Sequence, residues 1–192
     1  MSLLMDMLEF NEQFVTKKEY VKYQTTKYPN KKLVVLTCMD TRLIDMLPKA
    51  MNLKYGDMKI VKNAGALVAH PFGSIMRSIL VAIYELKAQE VMVIGHHDCG
   101  MKSLNADRVI EEAKSRGISE ETINTIEYAG VDLHGWLHGF ENVEDSVRHS
   151  VDIIKHHPLI PLDVAIHGLV IDPETGKLDL IINGNEEKLV KK

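Results

Sequence analysis

Cysteine is scarce: Cys38 and Cys99 are the only two thiols in 192 residues. A chain of this length buries enough apolar surface to fold without staples, so a disulfide is a poor explanation for them. Excess charge of one sign is also lacking. Lys and Arg number 23 against 27 Asp and Glu, a net charge of −4, and the signs are mixed along the chain. Nucleic-acid binding therefore has no electrostatic basis. No apolar run approaches the roughly 18 residues that span a bilayer, which argues against a membrane protein. The opening Met1-Ser2-Leu3-Leu4-Met5-Asp6 has no basic lead before its apolar residues, unlike a secretory or organellar signal, and a cytoplasmic location is expected. Repeats, low-complexity stretches and linkers are missing, so one domain with at most a terminal appendage is expected.

What is present reads as alternating strands and helices. Leu33-Val34-Val35-Leu36 and Val91-Met92-Val93-Ile94 are short, continuously apolar runs, the pattern of strands covered on both faces of a parallel sheet. Val164-Ala165-Ile166 is a third such run. Met58 to Lys62 alternates after the turn Tyr55-Gly56-Asp57, and Leu178 to Ile182 follows the Pro/Gly turn Asp172-Pro173-Glu174-Thr175-Gly176. Ile75, Ile79, Ala82, Ile83 and Leu86 form a helical stripe over Ser74 to Leu86, ahead of the Val91 strand. Val143, Val147, Val151 and Ile154 repeat that stripe over Glu141 to His156, where Pro158 stops it. Apolar positions from Leu3 to about Thr26 predict one or two amphipathic helices, and residues 102 to 140 are helical and polar in composition. The order predicts an α/β fold with a mainly parallel central sheet flanked by helices, preceded by an N-terminal helical arm.

Two thiols and nine histidines raise the question of metal. Cys38 follows the Leu33 strand and His96 follows the Val91 strand, so both fall at carboxyl ends of parallel strands, where open α/β sheets bind ligands. The turn Gly95-His96-His97-Asp98-Cys99-Gly100 sets an imidazole and a thiol three residues apart, a spacing that can close on one ion. If the two strands are neighbours, Cys38 reaches the same point. Two thiolates and an imidazole are a soft N/S set suited to tetrahedral Zn²⁺, and three protein ligands leave a fourth position open. A single strand-end cysteine is more often a small buried hydrophobe; the convergence of two with a histidine shifts the reading to metal. His97 is the alternative to His96, and the spacing favours His96. Most other histidines, His134, His138 and the pair His156-His157 among them, read as surface or helix-end residues; His70 leads into the first crossover helix. Asp40 and Arg42 share the Cys38 loop. Such a pair is usually a solvated contact of little consequence. Beside a metal, Asp40 either fills the fourth position or accepts a fork of hydrogen bonds from Arg42, and that choice decides whether water binds.

The pair Cys38-Met39-Asp40-Thr41-Arg42 and Gly95-His96-His97-Asp98-Cys99-Gly100 resembles the β-class carbonic anhydrases of the short-motif bacterial type. Lys62-Asn63-Ala64-Gly65 and Gly168-Leu169-Val170-Ile171-Asp172 with Thr175-Gly176 support the match, which covers roughly residues 30 to 183. The resemblance implies one Zn²⁺ per chain on Cys38, His96 and Cys99, with Asp40 and Arg42 as the dyad that holds or releases the fourth position. It implies reversible hydration of CO₂ to bicarbonate and a proton through zinc-bound hydroxide. It also implies a homodimer or higher homo-oligomer, with residues 1–30 as a dimerisation arm and 31–192 as the α/β domain. An inhibitory bicarbonate site known in some members needs Trp and Arg where Val35 and Lys62 stand, and is not carried over. The rival readings are a CS₂ or COS hydrolase on the same site, or a silent zinc-binding or bicarbonate-sensing protein in which Asp40 closes the site for good.

Overall fold

The computed structural model describes residues 2–186. Five strands form one sheet in the order β2-β1-β3-β4-β5: β1 (Leu33–Cys38), β2 (Met58–Asn63), β3 (Glu90–His96), β4 (Ala165–Ile171) and β5 (Leu178–Ile182). The first four are parallel, and β5 runs antiparallel to β4 at one edge. The sheet is entered at β1, and the chain steps outward to β2, then crosses back over β1 to β3. That reversal makes the carboxyl ends of β1 and β3 the switch point of the sheet, where loops diverge and leave a crevice.

The apolar runs form strands because both faces are covered. Val34, Leu36, Val91 and Val93 point into one layer with α3 (Ser74–Tyr84) and α7 (Val143–Lys155). Leu33, Val35 and Ile94 point the other way, with Leu43 and Leu47 of α2 (Leu43–Ala50). α7 lies close on the sheet because Gly95 of β3 and Gly168 of β4, on neighbouring strands, both face it. A Cβ at Gly95 would come within 2.8 Å of Val143 and 2.9 Å of Val147, and one at Gly168 within 2.8 Å of Val147.

Several boundaries differ from the sequence reading. α3 ends at Tyr84 rather than Leu86, and α7 spans Val143–Lys155, with Asn142 capping its first turn through bonds from the Glu144 and Asp145 amides. The Val164 run is only the entry to β4, which continues through Gly168 to Ile171; a glycine inside a strand masked it. α2 was not anticipated, since Pro48 within it mimics a helix stop. Residues 102 to 140 resolve into three short helices, α4 (Ala106–Ser115), α5 (Glu120–Tyr128) and α6 (Leu133–Leu137). The N-terminal segment is one α-helix, α1 (Leu3–Thr16), followed by a single 3₁₀ stretch over Glu19–Tyr23. None of the α1 residues is buried, and Leu4, Met7, Leu8 and Phe10 are all at least half exposed.

Candidate metal centre

Parallel pairing in register sets Thr37 beside Ile94, and the Thr37 hydroxyl donates to the Ile94 carbonyl at 3.0 Å. The two strands therefore end together. Cys38 emerges from β1, His96 ends β3, and Cys99 returns across the next turn; their ligand atoms all lie within 4.8 Å of one another. These three are the one such cluster among the described residues. They are buried, with 5%, 1% and 6% of their surface exposed, respectively. The structure thus brings together Cys38, His96 and Cys99, with Asp40 and Arg42 at their rim.

The cluster fits a tetrahedral ion. The two sulfurs are 3.8 Å apart and both thiols are free; two thiolates each about 2.3 Å from one tetrahedral centre lie about 3.8 Å apart. His96 Nδ1 sits 2.8 Å from the carbonyl of His97, which can only accept, so Nδ1 carries a hydrogen. That leaves the Nε2 lone pair free, and Nε2 is buried with no hydrogen-bond partner. A buried, unpartnered imidazole nitrogen beside two sulfurs has the chemistry of a metal ligand. His97 is turned out of the cluster, and its amide donates to the Ile171 carbonyl at 3.1 Å.

The electrostatics agree. The neighbouring Cys99 thiol stabilises the Cys38 thiolate and holds its pKa down to about 3 against the opposing effect of burial, with help from His96 and the Gly65 amide. The same contact, with burial, pushes Cys99 far up. Two sulfur anions at this distance repel, so without a cation only one ionises; a divalent cation removes the conflict. Burial works against a charged His96 ring, but the Cys38 thiolate outweighs it and the ring's pKa rises.

The loop after β2 completes the cradle. Asn63 closes it by donating to the Leu67 carbonyl at 2.7 Å and accepting from the Leu67 amide at 3.1 Å. Gly65, at φ +81°, turns its amide onto the Cys38 sulfur at 3.4 Å. Lys62 Nζ donates to the Cys38 carbonyl at 3.2 Å, and burial draws its pKa down against the charges of Cys38 and Asp40. Neither contact has a signature in the sequence beyond the motif Lys62-Asn63-Ala64-Gly65 itself.

Asp40 is paired with Arg42. Nε donates to Oδ1 at 3.1 Å and Nη2 to Oδ2 at 2.8 Å. This fork holds the Asp40 carboxyl down at about 2, so it is ionised at neutral pH. Its Oδ2 is nevertheless 3.9 Å from His96 Nε2, at the edge of the cluster. Asp98, to which the sequence reading gave no role, grips the far edge of the same guanidinium: Nη1 donates to its Oδ2 at 3.0 Å and Nη2 to its carbonyl at 3.1 Å. A cleft of about 150 Å³, lined in part by His96, His97, Cys99, Lys102 and Phe140, adjoins the cluster. It is smaller than the roughly 300–1,000 Å³ usual for organic ligands.

Of the other histidines, His134 faces Asp107 and Glu127 and His156 faces Asp152, both exposed, as expected of surface residues. His157, just past the end of α7, is a helix-end residue that is buried against Phe72, with ring centroids 5.0 Å apart. His70 accepts from the Phe72 amide at 3.0 Å and takes no part in the cluster.

A family model described as carbonic anhydrase matches residues 33–178. The chain is 64% identical over 184 residues to YtiB of Bacillus subtilis (strain 168), a protein named as a candidate carbonic anhydrase, covering 96% of this chain and 98% of that one. The crystal structure of β-carbonic anhydrase isoform I from Trichomonas vaginalis superposes with a TM-score of 0.87 at 34% identity, over 96% of this chain and all of that one, 100%. A carbon disulfide hydrolase of Acidithiobacillus thiooxidans is more distant, 29% identical over 159 residues, or 78% of this chain and 76% of that one.

Proposed function

Because the chain belongs to the β-carbonic anhydrase family, we propose that it holds one Zn²⁺ on Cys38, His96 and Cys99 and catalyses the reversible hydration of carbon dioxide to bicarbonate and a proton. The observation that carries this reading is the buried set of two sulfurs at 3.8 Å and an orphaned imidazole nitrogen, with an ionised carboxylate beside it. When bound, Zn²⁺ supplies Lewis acidity that draws the pKa of a coordinated water towards 7.

The protein's own groups do the rest. Asp40, kept ionised by Arg42, acts as a hydrogen-bond acceptor and not as an acid near neutral pH. It fixes the direction in which the attacking oxygen presents its lone pair, and orientation of this kind is worth large factors in rate. The fork from Arg42 engages both Asp40 oxygens, so ligation of a bound metal by this carboxylate would compete with two charge-assisted hydrogen bonds. That favours an enzyme over a silent site closed by Asp40. The small cleft suits a triatomic substrate.

The exposed apolar residues of α1 support a homodimer in which residues 1–30 pack on the partner. Among the described residues no helix is long and apolar enough to cross a membrane. Two thiols that must stay unpaired suit a reducing compartment, and we assign the protein to the cytoplasm.

The test is stopped-flow CO₂ hydration by the zinc-loaded protein, set against sulfide release from CS₂. Hydration well above any CS₂ hydrolysis is expected. CS₂ turnover without hydration favours the reaction named for the distant relative, and neither activity supports the silent site. Asp40→Asn keeps its zinc and slows hydration by about 10²-fold, the scale of a misplaced reacting group; loss of zinc instead means that Asp40 is a structural ligand.

A further inference from the structure

Arg42 bonds to more than its dyad partner. A guanidinium has five N–H groups, and four of them are engaged: two by the Asp40 carboxylate and two by Asp98, one at its carboxylate and one at its carbonyl. Asp40 and Arg42 belong to the loop that delivers Cys38. Asp98 belongs to the turn that delivers His96 and Cys99. The guanidinium therefore bridges the only two loops that carry the proposed ligands. Asp98 reaches it from a left-handed backbone, φ +53°, a conformation that Asp and Asn tolerate better than most residues.

We propose that Asp98 is a positioning residue: acting through Arg42, it fixes Asp40 at the open side of the metal site and clamps the two ligand loops together. With Asp98 in place, the plane of the guanidinium is pinned along both edges, so the fork offered to Asp40 has one orientation. Without it, Arg42 is anchored only to the residue it is meant to aim. An exposed ion pair between two free side chains would achieve little. Here one partner is set by a two-residue turn between ligands, and the other is already forked to a carboxylate, so the contact belongs to a network with fixed geometry.

The inference rests on the zinc reading above, and its test separates the two. Asp98→Gly removes the side chain without penalising the backbone angle, and Asp98→Asn keeps an acceptor oxygen. Each is made alone and with Arg42→Gln. Hydration kinetics are read together with the rate at which a chromophoric chelator strips zinc, since a clamp on ligand loops governs metal release as well as turnover. Asp98→Gly is expected to retain one zinc, lose about tenfold in kcat with KM little changed, and release zinc about tenfold faster, the lower end of effects from groups that orient metal ligands. Asp98→Asn recovers part of both. In the Arg42→Gln background, removing Asp98 adds nothing, because residues acting through one another are not additive. Variants that match the wild type, or that lose as much with Arg42 absent as present, overturn the role of Asp98 and leave the zinc reading intact. A wild-type protein that holds no zinc or hydrates no CO₂ overturns the zinc reading and this inference with it. If Asp98→Gly fails to fold by circular dichroism, Asp98→Asn carries the same comparison.

Discussion

Gly95→Ala tests how closely the site is tied to helix packing. The added methyl would stand 2.8 Å from a Val143 methyl and 2.9 Å from a Val147 methyl. Carbon atoms rest at about 3.5–4.0 Å, so α7 must retreat by about 1 Å or its valines must leave their rotamers. Overpacking of this kind costs about 1–3 kcal/mol, out of a total stability of the order of 5–15 kcal/mol. For a chain of this size that lowers Tm by roughly 2–12 °C. The assay is thermal unfolding by circular dichroism at fixed protein concentration with zinc saturating, because metal and oligomer both shift Tm by mass action. Trimming the opposing side chain supplies the control: Gly95→Ala with Val147→Ala is less destabilised than the sum of the two single changes, since the second makes room for the first. An unchanged Tm for Gly95→Ala, or strict additivity in the double variant, would refute the claim that α7 rests directly on the strand that ends in His96.

Gly65→Ala strains a residue at φ +81° and crowds Met101 at 3.1 Å; a loss of about 1–2 kcal/mol is expected from the left-handed angle alone, with faster zinc release as the hydrogen bond from its N–H to the Cys38 sulfur loosens, both readable by denaturant unfolding and chelator kinetics. Acid stability follows from three carboxylates held below their ordinary range: Asp40 by Arg42, Asp57 chiefly by the Lys54 amide, and Asp172 chiefly by the Glu174 and Thr175 amides. A depressed carboxylate binds fewer protons in the folded state, so its contribution is present above the ordinary carboxylate range and is lost as pH falls through the folded value. Asp57→Asn and Asp172→Asn should each be less stable than the wild type at pH 6 and flatten its decline below pH 4 in urea titrations; parallel curves would contradict this. Removing residues 1–17 deletes α1, and sedimentation should then show a smaller species than the full chain if the arm joins protomers.

Much of this was legible in the sequence for identifiable reasons. Leu33 to Leu36 and Val91 to Ile94 read as strands because both of their faces are covered, which leaves no polar alternation to confuse the signal. The convergence of Cys38, His96 and Cys99 was legible because two of them lie three residues apart in one turn and the third ends a neighbouring strand. What stayed hidden depends on tertiary geometry. Pro48 concealed α2, whose Leu43 and Leu47 are buried all the same. The acceptor that fixes the His96 tautomer is a backbone carbonyl, and the donor onto the Cys38 sulfur is a backbone amide from another loop, so neither has a side-chain signature. Asp98 lies in plain view between His96 and Cys99, but only the fold brings Arg42 across 56 positions to meet it.

The central claim is best tested by metal analysis combined with X-ray absorption of protein purified without chelators. One zinc per chain is predicted, with two sulfurs at about 2.3 Å, one imidazole nitrogen at about 2.0 Å and a light fourth atom; in Cys99→Ser the two-sulfur shell and CO₂ hydration should be lost together. Hydration that persists in metal-free protein, or a bound metal whose shell contains no sulfur, would contradict the account.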